Sequence, residues 1–130
     1  MAIYAGDMYV DKKEQLEKIE DICLADEVIR AVFDLKSVGT GFLAITDRRL
    51  IYYDKEFFKK QKAMVSLPYS RIAQVASGDD KGLLIRRGFF VSDTLYIFPQ
   101  GQPAKEFEFR GGDKAHRAHY LIMEYLLAQG

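Results

Sequence analysis

The chain has a single cysteine, Cys23, so no disulfide can form within it. A buried thiol in a reducing cytosol is the plain reading. No run approaches the roughly 18 apolar residues that a membrane-spanning helix needs. The opening Met1-Ala2-Ile3-Tyr4-Ala5-Gly6-Asp7 lacks a basic segment followed by an apolar one, so no secretory leader is read there. These absences predict a cytoplasmic location. An excess of either charge is also lacking: 19 Lys and Arg balance 19 Asp and Glu. Bulk attraction to nucleic acid is therefore not expected, and nucleic acid is excluded as a partner class. The motifs of several chemistries are missing as well. There is no C-x-x-C, H-E-x-x-H, G-x-S-x-G, G-x-x-x-x-G-K-[ST] or G-x-G-x-x-G. Internal repeats, linkers and low-complexity segments are not found.

What is present is an ordinary globular composition, 48% hydrophobic and 29% charged over 130 residues, which suits one domain. The organising stretch is Gly41 to Lys55. Phe42, Leu43, Ala44 and Ile45 form one apolar arm and Leu50, Ile51, Tyr52 and Tyr53 the other, with Thr46-Asp47-Arg48-Arg49 between them. Short arms of β-branched and aromatic residues about a polar turn predict a hairpin. Ahead of it, residues 1–10 carry no clear pattern. Asp11 with Glu14 three positions on predicts a helix start, and Leu16, Ile19, Ile22 and Cys23 make a narrow apolar stripe. Residues 28–36 alternate, with Ile29, Ala31, Phe33 and Leu35 as the core-facing set. Ser37 to Gly41 reads as a turn.

After the hairpin, residues 54–62 read as a long loop or as a loop entering the next strand, and 63–67 as that strand, ended by Pro68. Residues 72–76 follow as a strand alternating Ile72, Gln74, Ala76 against Ala73, Val75, then a loop at 77–82. Further strands are predicted at 83–91, interrupted by Gly88, at 94–98, and at 104–110 with Phe107 and Phe109 inward. Asp113 opens a final helix to Gln129, with Ala118, Leu121, Ile122, Tyr125 and Leu126 on one face. The order is a short helix, seven or eight antiparallel strands, and a long helix, which argues for a barrel or sandwich.

Three segments carry a resemblance to the bacterial pleckstrin-homology (PH) domain family. They are Asp26-Glu27-Val28-Ile29, the hairpin from Gly41 to Tyr53 with its Ile45-Thr46-Asp47-Arg48-Arg49-Leu50 centre, and Pro68-Tyr69-Ser70-Arg71-Ile72-Ala73-Gln74-Val75. The resemblance implies a mainly β fold: a bent antiparallel barrel of about seven strands capped by a C-terminal α-helix. The first helix then stands outside it, so that residues 1–25 form a helical extension and 26–130 the PH-like domain. The resemblance also implies homo-oligomers, rings among them, and a binding or assembly module rather than an enzyme.

Candidate sites follow from particular side chains. His116 and His119 are spaced i, i+3 on a predicted helix, yet zinc would need further ligands, so two solvated imidazoles are expected and no metal or cofactor is assigned. Cys23 lies on an apolar stripe, Asp79-Asp80 in a loop, and neither suggests catalysis. A phosphoinositide pocket would want cations after Lys36, where Val38, Thr40 and Phe42 stand instead. The strongest hint is Lys55-Glu56-Phe57-Phe58-Lys59-Lys60-Gln61-Lys62. Phe57 and Phe58 among Lys59, Lys60 and Lys62 suit a protein contact or an anionic membrane surface. Leu16, Ile19 and Ile22 are the second candidate surface. The expected function is a non-catalytic assembly or protein-interaction module whose partner is itself or another protein, with the membrane as the alternative.

Overall fold

The structure, a computed structural model, describes residues 2–36, 41–58, 61–79, 93–110 and 113–129. Among these residues there are eight strands: β1 (Ile3–Val10), β2 (Val28–Asp34), β3 (Phe42–Thr46), β4 (Arg49–Phe58), β5 (Gln61–Pro68), β6 (Ile72–Asp79), β7 (Asp93–Pro99) and β8 (Lys105–Phe109). Helix α1 (Lys13–Glu20) sits between β1 and β2, helix α2 (Lys114–Gln129) ends the fold, and a 3-10 turn at Tyr69–Arg71 joins β5 to β6. Strands β1 to β5 form one sheet in chain order, and β6 to β8 a second. The sheets meet at a corner where Leu35 bridges Phe109 and the Lys36 N–H donates to the Glu108 carbonyl (2.8 Å).

The main core lies between the sheets and under α2. Ala31, Phe33, Leu43, Ile45, Leu50 and Tyr52 from the first sheet meet Leu95, Ile97, Phe107 and Phe109 from the second. Ala115, Ala118 and Ile122 of α2 close over them, as the i, i+3, i+7 pattern requires. Ring pairs cross the gap: Tyr52–Phe107 at 5.0 Å and Phe33–Phe109 at 5.1 Å between centroids. A mainly β fold with a capping C-terminal helix and an extra N-terminal helix is therefore what the chain adopts.

Several expectations need correction. Residues 3–10 form a strand, and β1 runs parallel to β2 rather than antiparallel. Its pairing has two short stretches, Ile3–Tyr4 and Tyr9–Val10, with the middle bowed out. Asp11 does not cap α1: the N-cap is Lys12, which makes no side-chain cap bond. The Asp11 carboxylate instead accepts from the Asp34 N–H (2.8 Å), the Tyr9 hydroxyl and Lys114 (3.0 Å), tying β1, β2 and α2 together. Residues 54–58 and 61–62 are strand rather than loop: the β4–β5 pairing runs from Asp54↔Ala63 to Phe58↔Gln61 with a register shift between them. Likewise Ser77, Gly78 and Asp79 prolong β6. The turn at 37–40 and the strands expected at 83–91 lie outside the described residues.

The alternation in β2 and β6 also breaks. Ile29 pairs with Thr46 but Ala31 with Ile45, so Arg30 is an extra residue. Ile72 pairs with Pro99 but Gln74 with Phe98, so Ala73 is another. Each bulge shifts the parity of the strand by one. Ile29 therefore shares the outer face with Val32 instead of the inner face with Ala31. By the same step Ile72 and Val75 both reach the main core.

The outer face of the first sheet is apolar too. Ile29, Val32, Phe42, Ala44 and Ile51 are buried there beneath Ile19 of α1, with Leu16, Ile22 and Cys23 packed around them. The stripe on α1 is thus seated on its own sheet.

Candidate functional site

The three segments that carried the family resemblance meet at one corner. Glu27 is fully buried, and both its carboxylate oxygens are occupied. One accepts Arg49 (2.9 Å) and the Leu24 N–H (2.9 Å); the other accepts Arg49 Nε (2.9 Å) and the Thr46 hydroxyl (2.6 Å). Arg49 also donates to the Ile22 carbonyl (2.8 Å) and to Ser66 (3.0 Å). A forked guanidinium against a carboxylate is the strong form of ion pair. Burial alone would raise the pKa of Glu27, but the bonds from Arg49, Thr46 and the Leu24 N–H outweigh it and hold it down at about 2. Asp47 accepts the Val28 N–H (2.9 Å). Tyr69 donates to the Thr46 carbonyl (2.6 Å) and stacks on Tyr125 of α2 at 5.5 Å. Glu27, Thr46, Arg49 and Tyr69 spend their polar groups chiefly on one another and on nearby backbone, so the corner acts as a structural staple.

A cleft of about 380 Å³ opens between β1 and α2, lined by Asp7, Tyr9, Arg30, Arg117, Tyr120 and Glu124. The bulge at Arg30 turns its side chain toward α2, where it donates to Tyr125 (2.6 Å) and lies 3.6 Å from Glu124 and 3.9 Å from Asp7. Arg117 stands over the Tyr9 ring at 5.3 Å. Two acids and two arginines leave the lining without net charge. Its cations already face acids or rings, which gives no catalytic constellation.

The sequence-predicted surfaces fare differently. Ile19 is 0% exposed, and Leu16 and Ile22 are partly covered, all within the one chain. Phe57, Phe58 and Lys62 lie on the backbone of the β4–β5 hairpin near its turn, and Lys59 and Lys60 lie outside the described residues. The histidine pair is not merely solvated: His116 Nδ1 and His119 Nδ1 each lie 2.8 Å from the Ser77 hydroxyl on β6. Sequence spacing showed the pair but had no way to bring Ser77 to it from 39 positions away.

The surface that sequence reading missed is the start of β1. Ile3 is 46% exposed, Tyr4 51% and the neighbouring Leu24 55%. The Ile3 N–H donates to the Glu27 carbonyl (2.8 Å), which sets this patch beside the buried staple. Among the described residues β1 pairs on one side only. A shallow groove lined by Ala2, Tyr4, Glu20 and Asp21 adjoins it. An alternating apolar run would have flagged the strand, but Ala5-Gly6-Asp7 interrupts it. No described helix is long and apolar enough to cross a membrane. Among the described residues no three of His, Cys, Asp and Glu gather as a metal site.

The family model of the bacterial PH domain matches residues 16–123. The chain belongs to the bacterial PH domain family. This PH domain is also similar to the uncharacterized protein YozO of Bacillus subtilis (strain 168), at 26% identity over 121 residues, which cover 93% of this chain and 97% of that one. A solved relative in shape is a pleckstrin homology domain from Shewanella amazonensis SB2B, with a TM-score of 0.62 at 21% identity. The match covers 90% of this chain and 99% of the other. The match of the family to residues from 16 onward takes in most of α1, so the PH domain and the helix that backs its sheet are matched together.

Proposed function

We propose that this PH domain is a non-catalytic cytoplasmic module that assembles with copies of itself along the outer edge of β1. The observation that carries this reading is the exposed Ile3, Tyr4 and Leu24 beside a strand paired on one side only. An open edge offers backbone N–H and C=O groups to another strand. Apolar side chains clustered at such an edge add a contact that burial would favour. Two copies meeting edge to edge about a two-fold axis make a self-complementary dimer, whereas a ring would need the edge to meet a different surface of the next copy. The buried Ile19 stripe is no longer needed for this, because it is already satisfied on its own sheet. Light scattering on the pure chain at tens of micromolar tests the proposal: a mass above one chain is expected, and a monomer throughout would reject it. Tyr4→Lys, placing a charge on that edge, should return the mass to a monomer.

A second reading attaches to the β4–β5 hairpin. Its ladder runs to Phe58↔Gln61, which collects Lys55, Phe57, Phe58 and Lys62 at one end of a two-stranded ribbon. Aromatic and cationic residues at a hairpin end suit an anionic bilayer, at about 1 kcal/mol per cation. Sedimentation with phosphatidylserine vesicles decides it. Binding that survives Lys59→Glu/Lys60→Glu unchanged removes the hairpin from the account.

A further inference from the structure

We propose that His116, His119 and Ser77 form a site for one divalent transition-metal ion of the zinc, nickel or copper class, with the two imidazole Nδ1 atoms as its ligands. The site lies between β6 and α2, away from the β1 edge, and does not depend on the assembly reading.

The geometry is convergent. Both Nδ1 atoms lie 2.8 Å from the same Ser77 oxygen, so the two nitrogens are no farther apart than twice that distance. The i, i+3 spacing keeps the two rings on one face of α2. Ser77 comes from a strand that α2 packs upon, so all three side chains stand on regular elements rather than on loops. Imidazole nitrogen suits zinc, nickel and copper, whereas magnesium and calcium prefer oxygen. Bonds of about 2.0–2.1 Å to nitrogen would draw the rings together around the ion, and the accessible side would leave room for water ligands.

The hydrogen-bond arithmetic fixes the state that an ion would have to displace. A serine hydroxyl has one proton and can donate to only one of the two Nδ1 atoms. With neutral rings the other imidazole must carry its proton on Nδ1 and donate to the oxygen, so the two rings rest in opposite tautomers. Metal binding moves that second proton from Nδ1 to Nε2 of the same ring, freeing both lone pairs, and the serine keeps its own proton. No net proton need be released. Ser77 then stands beside the ion, as a weak third donor or as partner to a bound water.

The chain has only two histidines, so the assay is clean. Cys23 is the obvious competitor. Its thiol sits on the opposite face of the first sheet among Ile19 and Ile22, and burial together with the charge of Glu27 pushes it up to about 11. A tag-free chain carrying Cys23→Ser serves as the background. Long-range proton–nitrogen spectra of the two imidazoles are recorded during titration with zinc chloride, with thermal melts in nickel chloride alongside. Both rings should shift together and saturate at one ion per chain, and the melting temperature should rise until EDTA reverses it. Either His116→Gln or His119→Gln should weaken binding about tenfold or more, and Ser77→Ala by less. Circular dichroism confirms that each variant is folded. The proposal is overturned if only one ring responds, or if the double histidine variant binds as well as the background. A response that appears only as zinc joins separate chains, seen as a rise in scattering mass, overturns it equally.

Discussion

Glu27 is the residue whose chemistry most constrains this molecule. Its folded pKa of about 2 lies below the ordinary 4.5, so the folded state holds its proton less tightly than the unfolded chain does. The stability this contributes is present in full above pH 4.5 and is lost as pH falls toward about 2, on the order of 3 kcal/mol. Urea midpoints measured between pH 6 and pH 2 should fall through that window in the native chain. They should fall less steeply in Glu27→Gln, which starts lower because Arg49 has lost its counter-charge, at a cost of about 3 kcal/mol near neutrality. Asp11 titrates in the same direction. Burial works to raise its pKa, and the bonds from Tyr9, Asp34 and Lys114 more than reverse that. Tyr69→Phe removes one hydrogen bond to the Thr46 carbonyl while keeping the ring on Tyr125, so a loss of about 1 kcal/mol is expected in the same assay. At this scale the sequence was partly legible. Glu27, Thr46, Arg49 and Tyr69 stood out as the residues carrying the resemblance, but their pattern says nothing about facing inward. Charge and spacing look alike in a staple and in a binding site until the partners are known.

At the scale of elements, α1 behaves as the second half of a sandwich, with the first sheet apolar on both faces. Ile19 is its keystone, so Ile19→Ala should cost about 3 kcal/mol in chemical denaturation, with the secondary structure otherwise retained. Gly101 in the β7–β8 turn has φ 72°, and nothing lies within 4 Å of a Cβ added there. Gly101→Ala should therefore lose about 1 kcal/mol through backbone strain alone, without a steric clash. The hairpin of β3 and β4, the β8 alternation and α2 were legible because each has a single clear period. The strand β1 was not, because its middle bows away from β2 and carries Ala5, Gly6 and Asp7 in place of alternating apolar residues. Nor was the placement of Ile29 or Val75. One extra residue in a strand inverts every side chain beyond it, and neither Arg30 nor Ala73 announces itself as that residue. The β4–β5 extension was hidden by its lysines, which read as loop composition although the backbone ladder continues among them.

For the whole molecule, the two-sided first sheet and the cap formed by α2 leave the start of β1 as one exposed apolar surface at an open strand edge, while Tyr120 and Leu127 stand exposed on α2 itself. A charge at Ile3 should act as Tyr4→Lys does on solution mass and leave the thermal midpoint of the monomer nearly unchanged, since Ile3 is about half exposed. That combination separates an assembly edge from a merely structural residue. The overall architecture followed from the order of elements and the family resemblance. The surfaces did not, because they depend on which faces the packing has already consumed. The seating of Cys23 has one more consequence. Its thiol is half-covered at the end of α1 and, with its ionisation pushed up to about 11, is a poor nucleophile at neutral pH. A thiol-reactive dye should modify the native chain slowly, at a rate set by how often α1 lifts from the sheet beneath it. With one such group in the chain, labelling kinetics become a clock for that single movement, readable without unfolding the rest.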